Sequence, residues 1–213
     1  MYQVTIIDYG IGNLLSVTRA FEYWGAKVIL ADDAAKIVNA DRLVLPGVGA
    51  FADGMAGLEA KNLIEPIHAF VKTGKPFLGI CLGMQMMLEQ SEEFGSNKGL
   101  GLIKGIVRAI PKTDNNDVPH KVPHIGWNYL CESQTGRWEK TILKECTKED
   151  AVYFVHSFTA EPRDINNRLA DSFYNGRQIS AAIQKDNMYG CQFHPEKSGL
   201  VGLKIINGFL AIN

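Results

Sequence analysis

The sequence predicts an α/β fold in which a central, mixed but mostly parallel sheet is flanked by helices, built as one domain from residues 1–213. Three observations support this prediction. Strand-like and helix-like segments alternate through the first half of the chain, strand-like runs dominate the second half, and a glycine-flanked turn joins the fourth predicted strand to a helix. Near-continuous apolar strands are typical of parallel sheets that helices cover on both faces. A chain of 213 residues is also long enough to bury a core without disulfides.

The first half contains four strand-like apolar runs and three segments with helical character. The first helix shows the pattern clearly, because Leu14, Val17 and Phe21 recur at helical spacing. The predicted strands cover residues 4–7, 27–30, 42–45 and 77–80. The predicted helices cover residues 14–24, 55–71 (with a break near Asn62) and 84–89.

The second half is richer in strands. From Gly99 onward, strand-like runs predict strands over residues 102–109, 151–155, 168–172, 179–183 and 189–193. A polar stretch, residues 111–120, predicts an exposed loop, and the apolar pattern of residues 199–210 predicts a final helix. Together, the two halves predict one mixed-sheet domain with no linker between them.

The composition narrows the class of protein. The chain has 22 Lys and Arg against 23 Asp and Glu, so it lacks the basic balance of a nucleic-acid binder. The four cysteines have neither CxxC nor zinc-site spacing, which favours a reducing compartment. No apolar run approaches the roughly 20 residues that a membrane span requires, and the N-terminus has no basic region of a signal peptide. We therefore expect a cytoplasmic protein without metal, cofactor, nucleic-acid or membrane partner.

The most informative segment is Gly79-Ile80-Cys81-Leu82-Gly83, between a predicted strand and a predicted helix. Glycines two residues before and two residues after a central residue are typical of a nucleophile elbow, because only glycine fits the tight turn on either side. The central residue is a cysteine, which predicts attack of a thiolate on a carbonyl carbon. The alternative, that Cys81 is a buried and inert thiol, stays open on this motif alone.

A cysteine nucleophile needs a base, because little of a free thiol is ionised at neutral pH. His194 ends a predicted strand and is followed by Pro195 and Glu196. Proline stops the strand and fixes the bend, so the carboxylate of Glu196 is placed to accept a hydrogen bond from the imidazole of His194. A surface His-Pro-Glu turn is the competing interpretation. Because this His-Pro-Glu segment occurs in the same domain as the elbow, we favour a catalytic histidine with an orienting carboxylate.

A second glycine-rich turn, residues 46–51, directly follows the third predicted strand. Ligands of parallel sheets bind at the carboxyl ends of the strands, and glycines such as Gly49 let backbone N–H groups approach a substrate. Such donors make half of an oxyanion hole, and the N–H of Leu82, the residue after the nucleophile, would make the other half. A phosphate-binding or purely structural turn is an equally good interpretation of this segment.

These elements together resemble the class I (triad) glutamine amidotransferases. Residues 79–85 are similar to the nucleophile motif of that family, and residues 193–196 to its His/Glu motif. The fold implied is that family's single-domain architecture. Further segments resemble, over the whole chain, the glutaminase subunits of imidazole glycerol phosphate synthase. Those segments are residues 8–14, 46–51, 122–128, 153–158 and 193–198.

The resemblance implies a mechanism. Cys81 would attack the amide carbon of glutamine and form a γ-glutamyl thioester, while His194 would protonate the departing ammonia and then activate water. Glu196 would orient His194. The family also implies the residues that contact the oxyanion or glutamine: Val48, Gly49, Leu82, Gln85, Ser157 and Phe158. Val48 and Gly49 would belong to a strand whose backbone reorients for full activity.

The resemblance also implies a partner. The ammonia would pass to a (β/α)8-barrel cyclase subunit, which makes imidazole glycerol phosphate and the by-product AICAR in histidine biosynthesis, so the working form would be a heterodimer. Residues implied to face this partner are Asn13, Trp127 (in a predicted Gly-Trp-Asn turn), Asn128 and Lys197. Trp127 fits the preference of interface anchors for tryptophan, although a core aromatic is an equally good interpretation.

Three other functions remain open from the sequence. A paralogous amidotransferase subunit would have the same catalytic motifs but supply ammonia for sugar amidination in surface-polysaccharide biosynthesis. A γ-glutamyl peptidase would share the elbow, and a non-catalytic interaction module would need none of these residues. The complete set of Cys81, His194 and Glu196 argues against the module, and residues 46–51 and 126–128 argue against the peptidase.

Overall fold

The computed structural model describes residues 2–134 and 136–212. The helices are α1 Leu14–Glu22, α2 Ala34–Val38, α3 Phe51–Ala60, α4 Ile64–Val71, α5 Leu82–Met86 and α6 Gly199–Leu210, with short 3₁₀ helices at Ile165–Asn167 and Pro195–Lys197. The first seven strands are β1 Gln3–Ile7, β2 Lys27–Ala31, β3 Leu43–Gly47, β4 Phe77–Cys81, β5 Leu88–Ser91, β6 Asn97–Lys98 and β7 Ile103–Ala109. The others are β8 His124–Tyr129, β9 Cys131–Glu132, β10 Ala151–His156, β11 Phe158–Pro162, β12 Arg168–Tyr174, β13 Arg177–Lys185 and β14 Met188–Cys191.

The central sheet has eight strands in the order β2-β1-β3-β4-β14-β13-β12-β9. Its first five strands are parallel, and the remaining three are added antiparallel beyond β14. The sheet is therefore mixed and mostly parallel, which confirms the predicted fold class. Strand β14 lies in the middle of the sheet and joins the parallel part to the antiparallel part.

Helices cover both faces of the parallel part. On one face, Phe21 of α1 and Phe209 of α6 meet edge to face, with ring centroids 6.1 Å apart, in one buried cluster. On the other face, Leu58 of α3 and Phe70 of α4 belong to a second cluster. Strands β3 and β4 are buried throughout because they lie between these two layers. This arrangement explains their near-continuous apolar sequence.

Two smaller sheets lie beside the central one: β11-β7-β5-β6 and the antiparallel pair β10-β8. They correct two predictions. The helix predicted over residues 84–89 ends at Met86, because Leu88 begins a strand that pairs in parallel with β7. The turn predicted at residues 126–128 lies inside strand β8, where Trp127 pairs with Tyr153 of β10.

Two other details concern the first half of the chain. The predicted break near Asn62 is confirmed, since α3 and α4 are separate helices and Asn62 has a positive φ of 54°. Helix α2 was not predicted, and Asp33 begins it by accepting a hydrogen bond from the N–H of Lys36. Among the described residues, none of the helices has both the length and the apolar composition needed to cross a membrane.

Candidate active site

The elbow at the end of β4 is fixed by close packing. Cys81 ends the strand with φ 54° and ψ −110°, and Leu82 begins α5. A Cβ on Gly83 would lie 1.8 Å from the carbonyl oxygen of Leu45, and one on Gly79 would lie 2.8 Å from the backbone of Gly83. Both positions exclude any side chain, so the two glycines allow Cys81 its uncommon backbone conformation. The nucleophile elbow predicted from the sequence is present.

Cys81 opens into a cavity of about 280 Å³ at the carboxyl ends of β3 and β4. Cys81 is only 7% exposed, so the thiol is accessible mainly from this cavity. His194 lines the same cavity from the position before the 3₁₀ helix, three residues beyond the end of β14, because the strand predicted over residues 189–193 ends at Cys191. The six residues predicted to contact the oxyanion or glutamine all line it as well: Val48, Gly49, Leu82, Gln85, Ser157 and Phe158.

The predicted pair of His194 and Glu196 forms a short hydrogen bond. Nδ1 of His194 lies 2.7 Å from Oε1 of Glu196, and both side chains are buried. The backbone of His194 is also fixed, because its N–H donates to the carbonyl of Tyr153 and its carbonyl accepts from Oγ of Ser198. Within the described residues, Nε2 of His194 is buried and has no hydrogen-bond partner, and His194 is one of the residues that line the cavity. The imidazole is therefore oriented with one nitrogen free for chemistry.

The charges around His194 favour its protonated form. Burial lowers the pKa of His194, but the neighbouring Cys81 sulfur and the Glu196 carboxylate outweigh burial and raise the pKa to about 9. The imidazole is consequently protonated at neutral pH. A protonated imidazole beside the sulfur is suited to stabilise a thiolate and to give a proton to a leaving group.

The loop after β3 differs from the elbow. The family resemblance implied a strand at Val48 and Gly49, whereas the residue pattern predicted a turn over residues 46–51. Strand β3 ends at Gly47, and both residues lie in the loop before α3, as the turn prediction requires. The reason is the backbone of Gly49, whose φ of 91° is incompatible with an extended strand. Leu82 is the first residue of α5, so its N–H has no acceptor within the helix.

Three polar residues near Cys81 were not predicted. Gln192 is completely buried, with Nε2 3.8 Å from Sγ of Cys81 and Oε1 accepting from Nε2 of Gln85. Tyr9 donates its hydroxyl to the carbonyl of Pro46, and burial, followed by the charge of Cys81, raises the pKa of Tyr9. The available signals were a glutamine in the predicted strand before His194 and a tyrosine in the family-like segment of residues 8–14.

Glu93 is the third residue that sequence reasoning missed. Its carboxylate lines the cavity, and Oε2 accepts a hydrogen bond of 2.6 Å from the N–H of Phe51 at the start of α3. This hydrogen bond fixes the carboxylate of a residue that lines the cavity, and a carboxylate at this position is suited to bind an ammonium group of a ligand. Glu93 is in the loop between β5 and β6, just after the segment predicted as a helix, and no sequence pattern indicated that this loop reaches the cavity.

The predicted partner-facing residues lie outside the cavity. Trp127 is 59% exposed and projects from β8 between Ile125 and Tyr129, which are exposed to a similar extent. Asn128 is partly buried and donates its amide to the carbonyl of Phe173. Asn13 is exposed and caps α1 by accepting from the N–H of Ser16, and Lys197 is exposed on the 3₁₀ helix beside Glu196.

In the parts of the chain that the structure describes, no group of three or more His, Cys, Asp or Glu side chains is arranged to hold a metal ion. The described site is instead a cysteine on a nucleophile elbow, with an oriented His-Glu pair in the same cavity. This combination defines a cysteine-triad hydrolase of the α/β class.

The family model for class I glutamine amidotransferases matches residues 5–211, and the chain belongs to that family. The imidazole glycerol phosphate synthase subunit HisH 1 of Legionella pneumophila (strain Lens) is 59% identical over all 213 residues, which cover the full length of both chains. The HisH subunit of Geobacillus thermodenitrificans is 42% identical and matches all of this chain with 97% of its own length. Within its class, the chain therefore belongs to the HisH subunits of imidazole glycerol phosphate synthase.

Solved structures share the fold at lower sequence identity. PurLQS from Thermotoga maritima gives a TM-score of 0.71 at 20% identity, covering 98% of this chain and 97% of that one. A glutamine amidotransferase from Thermotoga maritima gives a TM-score of 0.60 at 19% identity, covering 98% of this chain and 82% of that one. The predicted family and the enzyme class, a glutamine amidotransferase, are confirmed.

Proposed function

We propose that the chain hydrolyses L-glutamine to glutamate and ammonia with Cys81, His194 and Glu196 as its catalytic triad, and delivers the ammonia to a cyclase subunit in histidine biosynthesis. The observation that carries this proposal is the placement of Cys81 and the unpartnered Nε2 of His194 in one cavity, with Nδ1 held by Glu196. The names of its full-length relatives support the pathway.

In the first half of the reaction, the Sγ of Cys81 attacks the side-chain amide carbon of glutamine. The amide oxygen becomes an oxyanion, stabilised by the N–H of Leu82 and by a backbone N–H of the loop of Val48 and Gly49. His194 gives its Nε2 proton to the amide nitrogen, the C–N bond breaks, and ammonia leaves. The product is a γ-glutamyl thioester on Cys81.

In the second half, His194 is neutral and acts as a base. Its Nε2 takes a proton from water, and the resulting hydroxide attacks the thioester carbon. The C–S bond then breaks, glutamate leaves, and the thiolate of Cys81 and the protonated His194 are restored. Glu196 accepts the hydrogen bond of Nδ1 in both halves and holds the imidazole in one orientation.

Glutamine is held by the other walls of the cavity. Gln85, Ser157 and Phe158 line the cavity together with the loop of residues 48–49. The carboxylate of Glu93 is suited to bind the α-ammonium group, because it is charged, fixed by the N–H of Phe51, and directed into the cavity. The α-carboxylate would then contact the backbone of residues 157–158.

The partner is a cyclase with a (β/α)8 barrel, bound as a heterodimer in the cytoplasm. Its docking face on this chain consists of Asn13, Trp127, Asn128 and Lys197. Exposed Trp127, between Ile125 and Tyr129, is the anchor expected of such a face. Lys197 is next to Glu196, so a partner that contacts it would sense and adjust the triad.

The test replaces Cys81 by alanine in the complex with the cyclase. Glutamine-dependent synthesis of the cyclase product should be lost, whereas synthesis from added ammonium salts should continue at the wild-type rate. The matched control is Cys146→Ala, which removes a half-buried thiol remote from the cavity and should keep both activities.

Two results would overturn the proposal. Loss of both activities in a folded Cys81→Ala complex would contradict the role of Cys81. Failure of the wild-type chain to restore growth of a histidine auxotroph, with glutaminase activity intact, would indicate a different ammonia acceptor such as a sugar.

A further inference from the structure

Two buried histidines outside the triad are hydrogen-bonded to each other beside the glutamine cavity. Nδ1 of His124 lies 3.0 Å from Nε2 of His156, and Nδ1 of His156 lies 2.8 Å from the carbonyl oxygen of Phe158. His156 and Phe158 both line the cavity of Cys81. Because both ring nitrogens of His156 have partners within the protein, its imidazole is not available to act as a catalytic base.

The partners assign the tautomer of each ring. A carbonyl oxygen can only accept, so Nδ1 of His156 carries the proton and donates to Phe158. In a neutral ring, Nε2 of His156 is then an acceptor, and Nδ1 of His124 must be the donor to it. Both rings are therefore protonated at Nδ1.

The far end of this chain of hydrogen bonds agrees with the assignment. The amide of Asn128 is fixed in orientation, because Nδ2 donates to the carbonyl of Phe173 and Oδ1 accepts from the N–H of Tyr129. The same Nδ2 lies 3.5 Å from Nε2 of His124, which must be an acceptor in the assigned tautomer. The donors and acceptors thus match from Asn128 through His124.

The two imidazoles are held neutral and in place. Burial lowers the pKa of His124 to about 4. Burial lowers the pKa of His156 to about 3, opposed by the carbonyl of Phe158 and reinforced by the charges of His124 and His194. The ring of His124 is also stacked between Phe154 and Tyr174, with centroids 4.7 Å and 4.3 Å away. Stacking on both faces leaves the ring little freedom to turn.

The carbonyl of Phe158 connects this pair to Cys81. It also accepts a hydrogen bond of 3.1 Å from Nε2 of Gln85, and the same Nε2 donates to Oε1 of Gln192. Nε2 of Gln192 in turn lies 3.8 Å from Sγ of Cys81. One carbonyl oxygen therefore receives donors from the histidine pair on one side and from the amides beside the nucleophile on the other.

We propose that His156, oriented by His124, is a positioning residue: its Nδ1–H fixes the carbonyl of Phe158 and, through it, the wall of the glutamine cavity formed by Gln85 and residues 157–158. The proposal rests on the proposed function, because it assigns His156 a part in binding glutamine. His156 transfers no proton in the reaction. Its contribution falls on the KM for glutamine more than on kcat.

A pair of variants tests this assignment in the complex with the cyclase. In His156→Asn, the amide Nδ2 takes the position of the ring Nδ1 and still donates to Phe158, so the KM for glutamine should stay within about twofold of wild type. In His156→Gln, the amide reaches toward His124 instead, and the carbonyl loses a buried donor. The KM should then rise about tenfold, with a smaller change in kcat. An equal KM in both variants would overturn the role of His156.

The tautomer gives a readout that does not depend on activity. The ¹⁵N chemical shifts of labelled histidines should show Nδ1 protonated in both His124 and His156, and a proton on Nε2 of His156 would refute the proposal. In His124→Phe, which keeps an aromatic ring between Phe154 and Tyr174, Nε2 of His156 loses the donor assigned to it. Its ¹⁵N shift should move toward that of a nitrogen acceptor without a hydrogen bond, while Nδ1 stays protonated on the carbonyl of Phe158. A wild-type complex without glutaminase activity would refute the proposed function itself, whereas normal wild-type kinetics with equal variants would refute only the positioning role.

Discussion

Two glycine-containing turns lie side by side at the carboxyl ends of β3 and β4, where Gly47 pairs with Cys81, and they are built in opposite ways. At the elbow after β4, side chains at Gly79 or Gly83 would collide with the backbone. In the loop after β3, a Cβ on Gly49 would meet nothing within 4 Å, and Val48 is 39% exposed. The elbow is fixed by packing, whereas the loop is restricted only by the φ of Gly49.

The difference separates two tasks of one active site. The nucleophile must stay in the same place relative to His194, and tight packing gives it that constancy. The proposed oxyanion donor lies in a loop with open space around Gly49, so we expect it to change position at lower energetic cost than the elbow. A partner that controls the enzyme would therefore act more easily on residues 48–49 than on the elbow.

The largest effect expected from this comparison is that of Gly83→Ala. The added Cβ would overlap the carbonyl of Leu45, so the free energy of unfolding should fall by at least about 3 kcal/mol, measured by urea denaturation. The matched control is Gly49→Ala, which adds the same atom without a clash and should cost about 1 kcal/mol through its positive φ. Equal losses in the two variants would refute the contrast between a packed elbow and an open loop.

Glu196→Gln tests whether the base is as firmly fixed as the nucleophile. The variant keeps the shape of the side chain but removes the charge that orients and supports the protonated His194. We expect kcat for glutamine hydrolysis to fall about 10²–10³-fold, with ammonia-dependent synthesis in the complex unchanged. A loss below tenfold would mean that packing around Tyr153 and Ser198, and not the carboxylate, orients the imidazole.

The charge of His194 should also appear in the pH dependence of stability. Its pKa is about 9 in the folded chain and near 6.5 in the unfolded chain, so the folded state binds the proton more tightly. The stabilisation is complete below pH 6.5 and is lost as the pH rises through about 9. Between these values, the free energy of unfolding should fall by about 2.5 kcal/mol. Cys81→Ala removes the largest cause that raises this pKa, so the free energy of unfolding of this variant should fall less over the same pH range. An identical pH profile in the variant and the wild type would contradict the pairing of Cys81 with His194.

The smallest effect concerns the surface through which a partner would reach the adjustable loop. Trp127→Ala should weaken binding of the cyclase about tenfold without altering unfolding, because the indole is mostly exposed. Titration calorimetry with the purified cyclase measures this change. Tyr23→Ala is the control, since Tyr23 is 63% exposed but lies at the far end of α1, beside the amino ends of the strands. If both variants bind normally, the docking face lies elsewhere.

The parts that the sequence predicted well are those that local patterns determine. The glycines around Cys81, the proline after His194 and the apolar runs of β1, β3 and β4 each impose a conformation on their neighbours. Their positions at the carboxyl ends of adjacent strands follow from the alternation of strands and helices. The shared cavity could therefore be expected before the structure was known.

The errors and omissions arise where contacts between residues far apart in the sequence determine the structure. Residues 84–89 are good helix formers, but pairing with β7 draws Leu88 into a strand, and no local pattern signals that partner. Glu93 enters the cavity because β5 and β6 turn it there, and His124 meets His156 only through the register of β8 with β10. These contacts depend on which strands pair across the chain, which a single sequence does not reveal.

The position of β14 in the middle of the sheet has a consequence for biosynthesis. Cys81 leaves the ribosome 113 residues before His194, and until β14 inserts between β4 and β13, the two parts of the sheet have no shared strand. A growing chain therefore carries its thiol without the imidazole that we propose activates it. Long-range insertion of a central strand is a slow kind of folding step. The enzyme is thus assembled in an order that delays its reactivity until the sheet is complete.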